Sequence, residues 1–367
     1  MKKVIFVLFA LILIAAILIP SLARGADGGA AVDVTAKMDF PATLTFAISA
    51  KSAAQIVDIR LHYTVDRIKN VDVISEESVV FTPAKSVSAQ HVMDMRQSGG
   101  MPPGSSMTYW LTVKDINGAV TETLPQRIAI EDNRYDWKTL QEGMVTLYWY
   151  KGDNNFAKTL MNAVQQALGR LSENTGAELE NPVKLYIYAS SRDLRGAMVF
   201  SQEWTGGVAF TEYGIIAIGI GTSSSEINWG IGAISHELSH LVVHQVTLNP
   251  YIGIPPWLDE GLAMYSEGEL SSQFTDALDA AQGNFITVRS LSSPFSAYAD
   301  EAILAYAESY QIVKYLIGTF GRDRMFDLLT TFSKGSGYDE ALEKVYGFNM
   351  ESLNRQWQEA YRGAAVP

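Results

Sequence analysis

The chain has 367 residues, an apolar fraction of 47% and a formal net charge of -12, with a pI ≈ 4.9. This length is comfortable for two domains, and the composition is that of a folded globular protein rather than a disordered one. The acidity argues against a nucleic-acid-binding protein, which would normally present a basic face. The chain contains no cysteine, which excludes thiol nucleophiles, disulfides and thiolate metal sites.

The N-terminus has the pattern of an export signal. Met1-Lys2-Lys3 is short and positive, an unbroken apolar run extends from Val4 to Ile19, and small residues suited to signal peptidase follow up to Ala23. The run is slightly shorter than the ~20 residues that span a bilayer. We therefore expect residues 1–24 to be a cleaved signal peptide, with an uncleaved membrane anchor as the alternative. Both predict a protein outside the cytoplasm, either secreted or tethered to the membrane by its N-terminus.

Residues 25–134 have the pattern of a β domain. Short runs such as 42–48, 57–65 and 107–113 alternate between apolar and polar side chains, with a turn signal at Asn117-Gly118. Alternation with a period of two is typical of strands that bury one face. We predict an antiparallel β-sandwich of the immunoglobulin or fibronectin kind.

The pattern changes beyond a polar segment at residues 131–138, where we place the joint between two domains. Strands are predicted at 144–150 and 183–189, with one or two more between 207 and 220. Helical spacing of apolar residues predicts helices at 155–171 and 227–246, and most of the chain after Glu301 reads as helical. Strands followed by helices make residues 135–367 an α+β domain.

The candidate chemistry lies in the second of these helices. The segment Ile234-Ser235-His236-Glu237-Leu238-Ser239-His240-Leu241 contains the HExxH pattern. Histidines at i and i+4 lie one turn apart on the same helix face, so both imidazoles can reach one tetrahedral metal ion. Glu237 projects beside them, where it can act as general base on a metal-bound water. Three of the five histidines of the chain fall between His236 and His244.

A catalytic zinc site needs a third protein ligand. A metzincin would place it six residues after His240 with a glycine before it, but those positions hold Val246 and Val243. His244 is a second candidate, although it lies about 6 Å further along the helix axis. Glu260, in the segment Pro255-Pro-Trp-Leu-Asp-Glu-Gly-Leu-Ala263, is the third.

The two motifs together resemble a known family. His236-Glu-Leu-Ser-His240, followed after twenty residues by the glutamate of Trp257-Leu-Asp-Glu-Gly-Leu-Ala, is similar to the gluzincin metallopeptidases of the peptidase MA-like family, related to aminopeptidase N. The resemblance covers roughly residues 140–362. It implies a gluzincin-type metallopeptidase domain in which Zn²⁺ is held by His236, His240 and Glu260, with the glutamate on a second helix packed against the first.

The resemblance also implies further site residues. The segment 305–316 is similar to a later family helix that carries a transition-state tyrosine, which falls on Tyr306, with Tyr310 and Tyr265 in reserve. Relatives with aminopeptidase activity bind the substrate amine through a Gly-x-Met-Glu-Asn strand. No such string occurs here, and Glu212 is the nearest candidate for that anchor.

The predicted function is therefore a secreted or membrane-tethered zinc peptidase that hydrolyses peptide bonds of a peptide or protein substrate. Glu237 would serve as general base, a strand near Gly207 would lie along the cleft and pair with the substrate backbone, and Asp259 would orient a ligand histidine. Two alternatives remain: a zinc hydrolase of a non-peptide amide or ester, and a non-catalytic surface protein with a structural zinc. The presence of Glu237 argues against the second, because a structural site has no use for a general base.

Overall fold

The computed structural model describes residues 23–24, 29–68, 71–202, 205–296 and 298–364. The predicted signal or anchor segment, residues 1–24, lies outside these residues except for Ala23–Arg24. Among the helices of the described residues, none is both long and apolar enough to span a membrane.

The N-terminal part of the chain is an antiparallel β unit, as the sequence predicts. Its strands are β1 (Ala23–Arg24), β2 (Ala31–Asp39), β3 (Thr43–Val65), β4 (Ser75–Ser78), β5 (Ala84–Asp94), β6 (Ser105–Asp115), β7 (Val120–Glu122) and β8 (Gln126–Ile130). All eight belong to one hydrogen-bonded sheet, in which β3 pairs with β2, β4, β5 and β6.

The long strand β3 belongs to both halves of this unit. Its first half pairs with β2 and β5 and its second half with β4 and β6, and the register shifts between Lys51 and Ile56. The two halves face each other, because the ring of Phe46 in the first half lies 5.0 Å from that of Tyr109 on β6. Phe46, Leu61 and Tyr109 are buried in the core between them. The result is two packed layers connected through a single bent strand.

The C-terminal part contains a small mixed sheet and most of the helices, and the α+β prediction is confirmed. The strands are β9 (Lys138–Glu142), β10 (Val145–Trp149), β11 (Val183–Tyr188), β12 (Gly207–Phe210) and β13 (Ile215–Gly219). The helices are α1 (Asn154–Thr175), α2 (Ser191–Arg195), α3 (Ser224–Val246), α4 (Pro256–Glu267), α5 (Ser272–Ala281), α6 (Ala299–Phe320), α7 (Arg322–Ser333), α8 (Tyr338–Tyr346) and α9 (Met350–Ala364).

The sheet order is β12-β13-β11-β10-β9. The three central strands are parallel, and the outer strands β9 and β12 run antiparallel to their neighbours. Helix α1 makes the crossover between β10 and β11, as parallel neighbours require.

The two faces of this sheet are buried against different partners. On β11, Leu185 and Ile187 point into the core formed with the helices, whereas Tyr186 and Tyr188 point into the core of the β unit. At the joint, the Tyr188 hydroxyl donates to Asp132 at 2.8 Å, and the same carboxylate pairs with Arg134 at 2.6 Å. The β unit therefore packs on the sheet face opposite the helices, and the helix side carries the candidate site.

Candidate metal centre and cleft

Helix α3 places two histidines at the edge of the helical core. Its N-terminus is fixed by a capping box, in which Ser223 accepts from the backbone of Glu226 and the Glu226 carboxylate bonds back to Ser223. One face of the helix, which includes Ile234 and Leu238, is fully buried. His236 and His240 lie on a neighbouring, partly exposed face, because residues four apart share one side of a helix.

Helix α4 supplies the acidic side of the site. The helix begins at Pro256. Proline is tolerated there because the first N–H groups of a helix have no acceptor within the helix, so the missing N–H costs no hydrogen bond. Gly261 lets α4 approach α6 closely, since a Cβ there would lie 2.5 Å from the Ser309 carbonyl oxygen. Trp257, Leu258 and Leu262 are buried, which fixes the orientation of the opposite face.

Three predicted ligands converge on one point. The Nε2 atoms of His236 and His240 lie 3.5 and 3.6 Å from the same oxygen, Oε2 of Glu260. Ligand atoms about 2.0–2.1 Å from a tetrahedral zinc lie about 3.3 Å apart, so the spacing suits such an ion. Glu260 Oε2 is buried and has no hydrogen-bond partner among the described residues. Two imidazoles and a carboxylate are also a donor set that zinc accepts.

The other nitrogen of each imidazole is held by a carboxylate. Nδ1 of His236 lies 2.7 Å from Glu267, and Nδ1 of His240 lies 2.8 Å from Asp259. An ionised carboxylate only accepts, so each Nδ1 donates and each Nε2 is left free to bind a metal. The contact expected for Asp259 is present. The same carboxylate also accepts from Nε2 of His244 at 2.9 Å, so that histidine lies behind the ligands rather than among them.

The carboxylates give the pocket a strongly negative character. Burial opposes protonation of His240, but the adjacent charge of Asp259 raises its pKa to about 9. Burial likewise opposes protonation of His236, yet its contacts with Glu260 and Glu267 raise its pKa. For Asp259, burial is outweighed by the two histidines, which lower its pKa. These shifts belong to the protein without an ion, and they show a site built to attract positive charge.

Glu237 lies in a cleft beside the three converging groups. The cleft measures about 780 Å³ and is lined by residues that include His236, His240, Glu260 and Tyr306. Burial raises the pKa of the Glu237 carboxyl. The carboxylate rests against Gly207 of β12, where a Cβ would lie only 2.6 Å from Oε1.

Strand β12 forms one wall of the cleft through residues 207–209, together with Gly206 just before it. It is an edge strand whose one partner among the described strands is β13. The amide of Gly219 donates to the Gly206 carbonyl at 2.9 Å, so the alternation of an antiparallel ladder directs the N–H and C=O of Gly207 and Ala209 to the open edge. The strand therefore lies where the sequence prediction placed it.

Of the three candidate tyrosines, Tyr306 is the one that lines the cleft. Its ring packs edge-on against Phe295 at 5.3 Å, and its hydroxyl has no hydrogen-bond partner in the described part of the chain. Burial and the nearby Glu260 raise the pKa of Tyr306, which keeps the hydroxyl a donor. The reserve Tyr310 is buried and donates to Glu269 at 3.4 Å, and Tyr265 packs near it at 5.9 Å.

The structure does not bring Glu212 to the cleft. Its carboxylate is 63% exposed and pairs with Arg67 of the β unit at 3.0 Å. It lines a separate cavity of about 510 Å³ at the junction of the two units. Glu212 follows β12 in a short 3₁₀ turn, Thr211–Tyr213, and this turn directs its side chain to the side of the sheet that faces the β unit. The sequence hypothesis of an amine anchor at Glu212 is wrong for this geometry.

Glu267 is a functional candidate that the sequence analysis missed. It lies seven residues after Glu260, two turns along α4, and so shares a helix face with it. That spacing was the available signal. The family motif at residues 257–263 includes Asp259 and Glu260 but ends before Glu267.

Comparison with known proteins identifies the class. The family model of the Peptidase MA superfamily matches residues 163–363, which is more than half of the chain. The chain therefore belongs to the Peptidase MA superfamily, and the resemblance drawn from its motifs is confirmed. A comparison with curated protein sequences gave no match.

Solved structures give weaker likenesses. An aminopeptidase N family protein from Idiomarina loihiensis has 10% identity and a TM-score of 0.43, over 90% of this chain and 76% of that one. Legionella pneumophila aminopeptidase A has 10% identity and a TM-score of 0.41, over 89% of this chain. This chain spans about half, 48%, of the Legionella enzyme. An M1 zinc metallopeptidase from Deinococcus radiodurans has 13% identity and a TM-score of 0.37, over 89% of this chain and 93% of that one.

Proposed function

We propose that the chain is a zinc-dependent peptidase in which His236, His240 and Glu260 hold the metal and Glu237 is the general base. The observation that carries the proposal is the approach of two Nε2 atoms to one buried, otherwise unpartnered carboxylate oxygen. Hydrogen bonds from both Nδ1 atoms to carboxylates orient the imidazoles for this task.

The remaining chemistry follows from the residues around that point. When bound, zinc lowers the pKa of a water molecule toward ~7 and polarises the scissile carbonyl. Glu237, against the cleft wall, accepts the proton of the attacking water and delivers it to the leaving amine. Burial raises the pKa of the Glu237 carboxyl, which favours a carboxyl that holds the proton between the two steps. Tyr306 donates its hydroxyl proton as a hydrogen bond to the developing oxyanion.

The substrate is a peptide in extended conformation. The open edge of β12 offers the N–H and C=O groups of Gly207 and Ala209 at the mouth of the site, and an added strand can pair with them. Apolar side chains also line the cleft, including those of Phe200, Trp229 and Met264. A substrate backbone held on β12 would cross the cleft beside Glu237.

We also propose that the protein acts outside the cytoplasm. The support is the sequence pattern of Lys2-Lys3 followed by the apolar run Val4 to Ile19. The absence of cysteine makes the fold independent of the redox state of the compartment. Fractionation of the producing cells, with the size of the protein in each fraction, tests both the location and the cleavage of the segment.

The test of the activity is incubation of the full chain, in mild detergent, with a diverse peptide mixture, with and without a zinc chelator. We expect new peptides that are detected by mass spectrometry and that disappear on chelation and return with zinc. Internal cuts would identify an endopeptidase, and stepwise shortening an exopeptidase. Zinc bound at one equivalent without any cleavage of peptides would contradict the proposal and favour a non-peptide amide or ester.

A further inference from the structure

A second cavity opens beside the proposed active-site cleft, at the N-terminal end of α3. This side pocket measures about 300 Å³ and is lined by Ser190, Ser191, Ser225, Glu226, Trp229 and two glycines. It lies at the carboxyl ends of the parallel strands β11 and β13. Crevices at this edge of a parallel sheet are places where ligands commonly bind.

Trp229 connects the side pocket to the cleft. Among the described residues, it is the one that lines both cavities, and it is 50% exposed. Its ring lies against Gly206 at the start of the edge strand, where a Cβ would be 2.8 Å from Cη2 of the indole. A substrate paired with β12 that continues past Gly206 would therefore meet the indole.

The spacing along α3 gives the distance between Trp229 and the proposed metal site. Trp229 lies seven residues before His236, so both are on one helix face, about 10 Å apart along the axis. An extended peptide covers about 3.3 Å per residue. The substrate side chain that reaches the side pocket therefore belongs to a residue about three positions from the scissile bond.

Glu226 is the one ionisable residue that lines the side pocket. It is exposed and lies three residues before Trp229, so the Cβ atoms of the two are about 5–6 Å apart on one helix face. Hydrogen bonds from Ser223 lower the pKa of Glu226, which keeps it ionised. Those bonds go to Oε2, and Oε1 has no hydrogen-bond partner among the described residues. A negative oxygen beside an exposed indole is thus available to a ligand.

The neighbouring cleft has the same sign of charge. Its acidic lining residues are Glu237, Asp259, Glu260 and Glu267. No lysine or arginine is among the described residues that line either cavity. Because a bound zinc ion carries only two positive charges, the cleft would stay negative with the metal in place.

Three basic residues lie near the two cavities without lining them. Arg192 follows Ser191 on α2, and Arg195 donates to the Thr205 carbonyl at 3.4 Å. Lys151 is close enough to stabilise the ionised form of Glu226. None of the three lines the cleft or the side pocket, so neither cavity offers a cation to an acidic substrate side chain.

We propose that the side pocket binds a lysine or arginine side chain of the substrate, with its aliphatic stem on the indole of Trp229 and its charged end at Glu226. An indole face attracts cations, and the stems of lysine and arginine pack on apolar surface. The N-terminus of a helix favours an anion, but Glu226 itself occupies that place in α3. This inference rests on the proposed function, because it names the substrate class of the same site.

The test measures peptide binding by the full chain with Glu237→Gln, loaded with zinc in mild detergent, so that peptides are not consumed. The probes are fluorescently labelled alanine heptapeptides with one lysine or one norleucine at each position in turn. Norleucine has an unbranched stem like that of lysine but carries no charge. Fluorescence anisotropy gives the Kd of each peptide.

We expect lysine to bind about 10-fold more tightly than norleucine at one position of the peptide and equally at the others. Adding Glu226→Gln should remove most of that difference while it preserves the helix cap, because glutamine can also bond back to Ser223. Trp229→Leu, which keeps an apolar side chain without an aromatic face, should reduce the difference as well. Thermal unfolding confirms that each variant is folded.

Glu340→Gln is the matched control. Glu340 is exposed, occupies the same position in α8 as Glu226 in α3, and accepts from the Gly337 amide at 3.3 Å, but it lines neither cavity. It should leave the preference for lysine unchanged. Equal loss in both glutamine variants, equal affinity for lysine and norleucine at every position, or no binding of any peptide would overturn the proposal.

Turnover of the same peptides by the parent chain separates this inference from the proposed function. Cleavage without any preference for lysine in binding or turnover would contradict the side pocket alone. A preference for lysine in binding, lost with Glu226→Gln and without cleavage of any peptide, would support the side pocket and contradict the peptidase activity.

Discussion

Gly207 of the edge strand and Glu237 of helix α3 are in direct contact, with no room for a methyl group between them. A Cβ on Gly207 would lie 2.6 Å from Oε1 of the Glu237 carboxylate. The glycine thus sets the position of the proposed general base at the same point where the strand offers its backbone to a substrate.

We expect Gly207→Ala to displace the Glu237 carboxylate and to lower kcat by about 10²-fold, since small misplacements of catalytic groups are costly. Stability should change little, because the atom that must move is the end of a flexible side chain. Steady-state kinetics and thermal unfolding measure the two effects. Gly253→Ala, which has open space around the new methyl group, is the control. Equal kcat values for the two variants would show that the contact does not position the base.

The carboxylate of Glu267 should matter for the metal although it is not a proposed ligand. It holds Nδ1 of His236 at 2.7 Å, so Glu267→Gln should weaken zinc binding by about 10–100-fold. Competition with a fluorescent zinc chelator measures the affinity. Glu269→Gln changes the neighbouring carboxylate, which is 88% exposed, and should leave the affinity unchanged. A similar loss in both variants would point to the overall charge of the region instead of the hydrogen bond.

Tyr306 is expected to act on the transition state. Tyr306→Phe should lower kcat by about 10²–10³-fold while zinc content and KM stay close to those of the parent, because the hydroxyl binds only the developing oxyanion. Tyr310→Phe removes a hydroxyl from the same helix that already donates to Glu269, and it should have little effect. An unchanged kcat in Tyr306→Phe would leave that residue with a packing role alone.

The burial of Glu308 predicts that the stability of the protein depends on pH. This carboxyl on α6 is fully buried, and one oxygen accepts from the amide of Ile286 at 3.1 Å. Burial raises its pKa to about 8, above the ordinary value of 4.5 that an unfolded chain would show. The folded state therefore binds the proton more tightly. Between these two values, this group lowers stability as pH rises, by up to about 1.4 kcal/mol per pH unit.

The variant Glu308→Gln should lose the pH-dependent contribution of this carboxyl to the free energy of unfolding. Its stability relative to the parent protein should increase steadily from about pH 5 to pH 8. Urea unfolding of both proteins across this range measures the difference, and subtraction cancels the titration of all other groups. A difference that stays constant with pH would show that Glu308 ionises normally in the folded protein.

The sequence predicted the local parts of this molecule well. Periodicity identified helix α3, although it placed the start at Ile227 and the capping box at Ser223 begins the helix earlier. The HExxH spacing alone predicted that His236 and His240 share one helix face, with Glu237 beside them. Glu260 is different, since it lies twenty residues after His240 and beyond a loop, and no local rule fixes the distance between the two side chains. Its assignment depended on the family resemblance.

Other features depended on contacts that no local pattern encodes. Glu212 follows a strand of the cleft, yet the turn at Thr211–Tyr213 sends its side chain to Arg67 of the other unit. The sequence of β11 predicted a strand, but it did not indicate that the β unit buries Tyr186 and Tyr188. The bend in β3 likewise joins strands that the sequence presents as separate.

The central claim is that a zinc site with Glu237 as its base hydrolyses peptides. The most direct measurement is zinc content together with peptide turnover for the parent chain and for Glu237→Gln. We predict one equivalent of zinc in both proteins and turnover in the parent alone, reduced in the variant by several orders of magnitude. A variant that retains zinc and cleaves peptides near the parent rate would contradict the account.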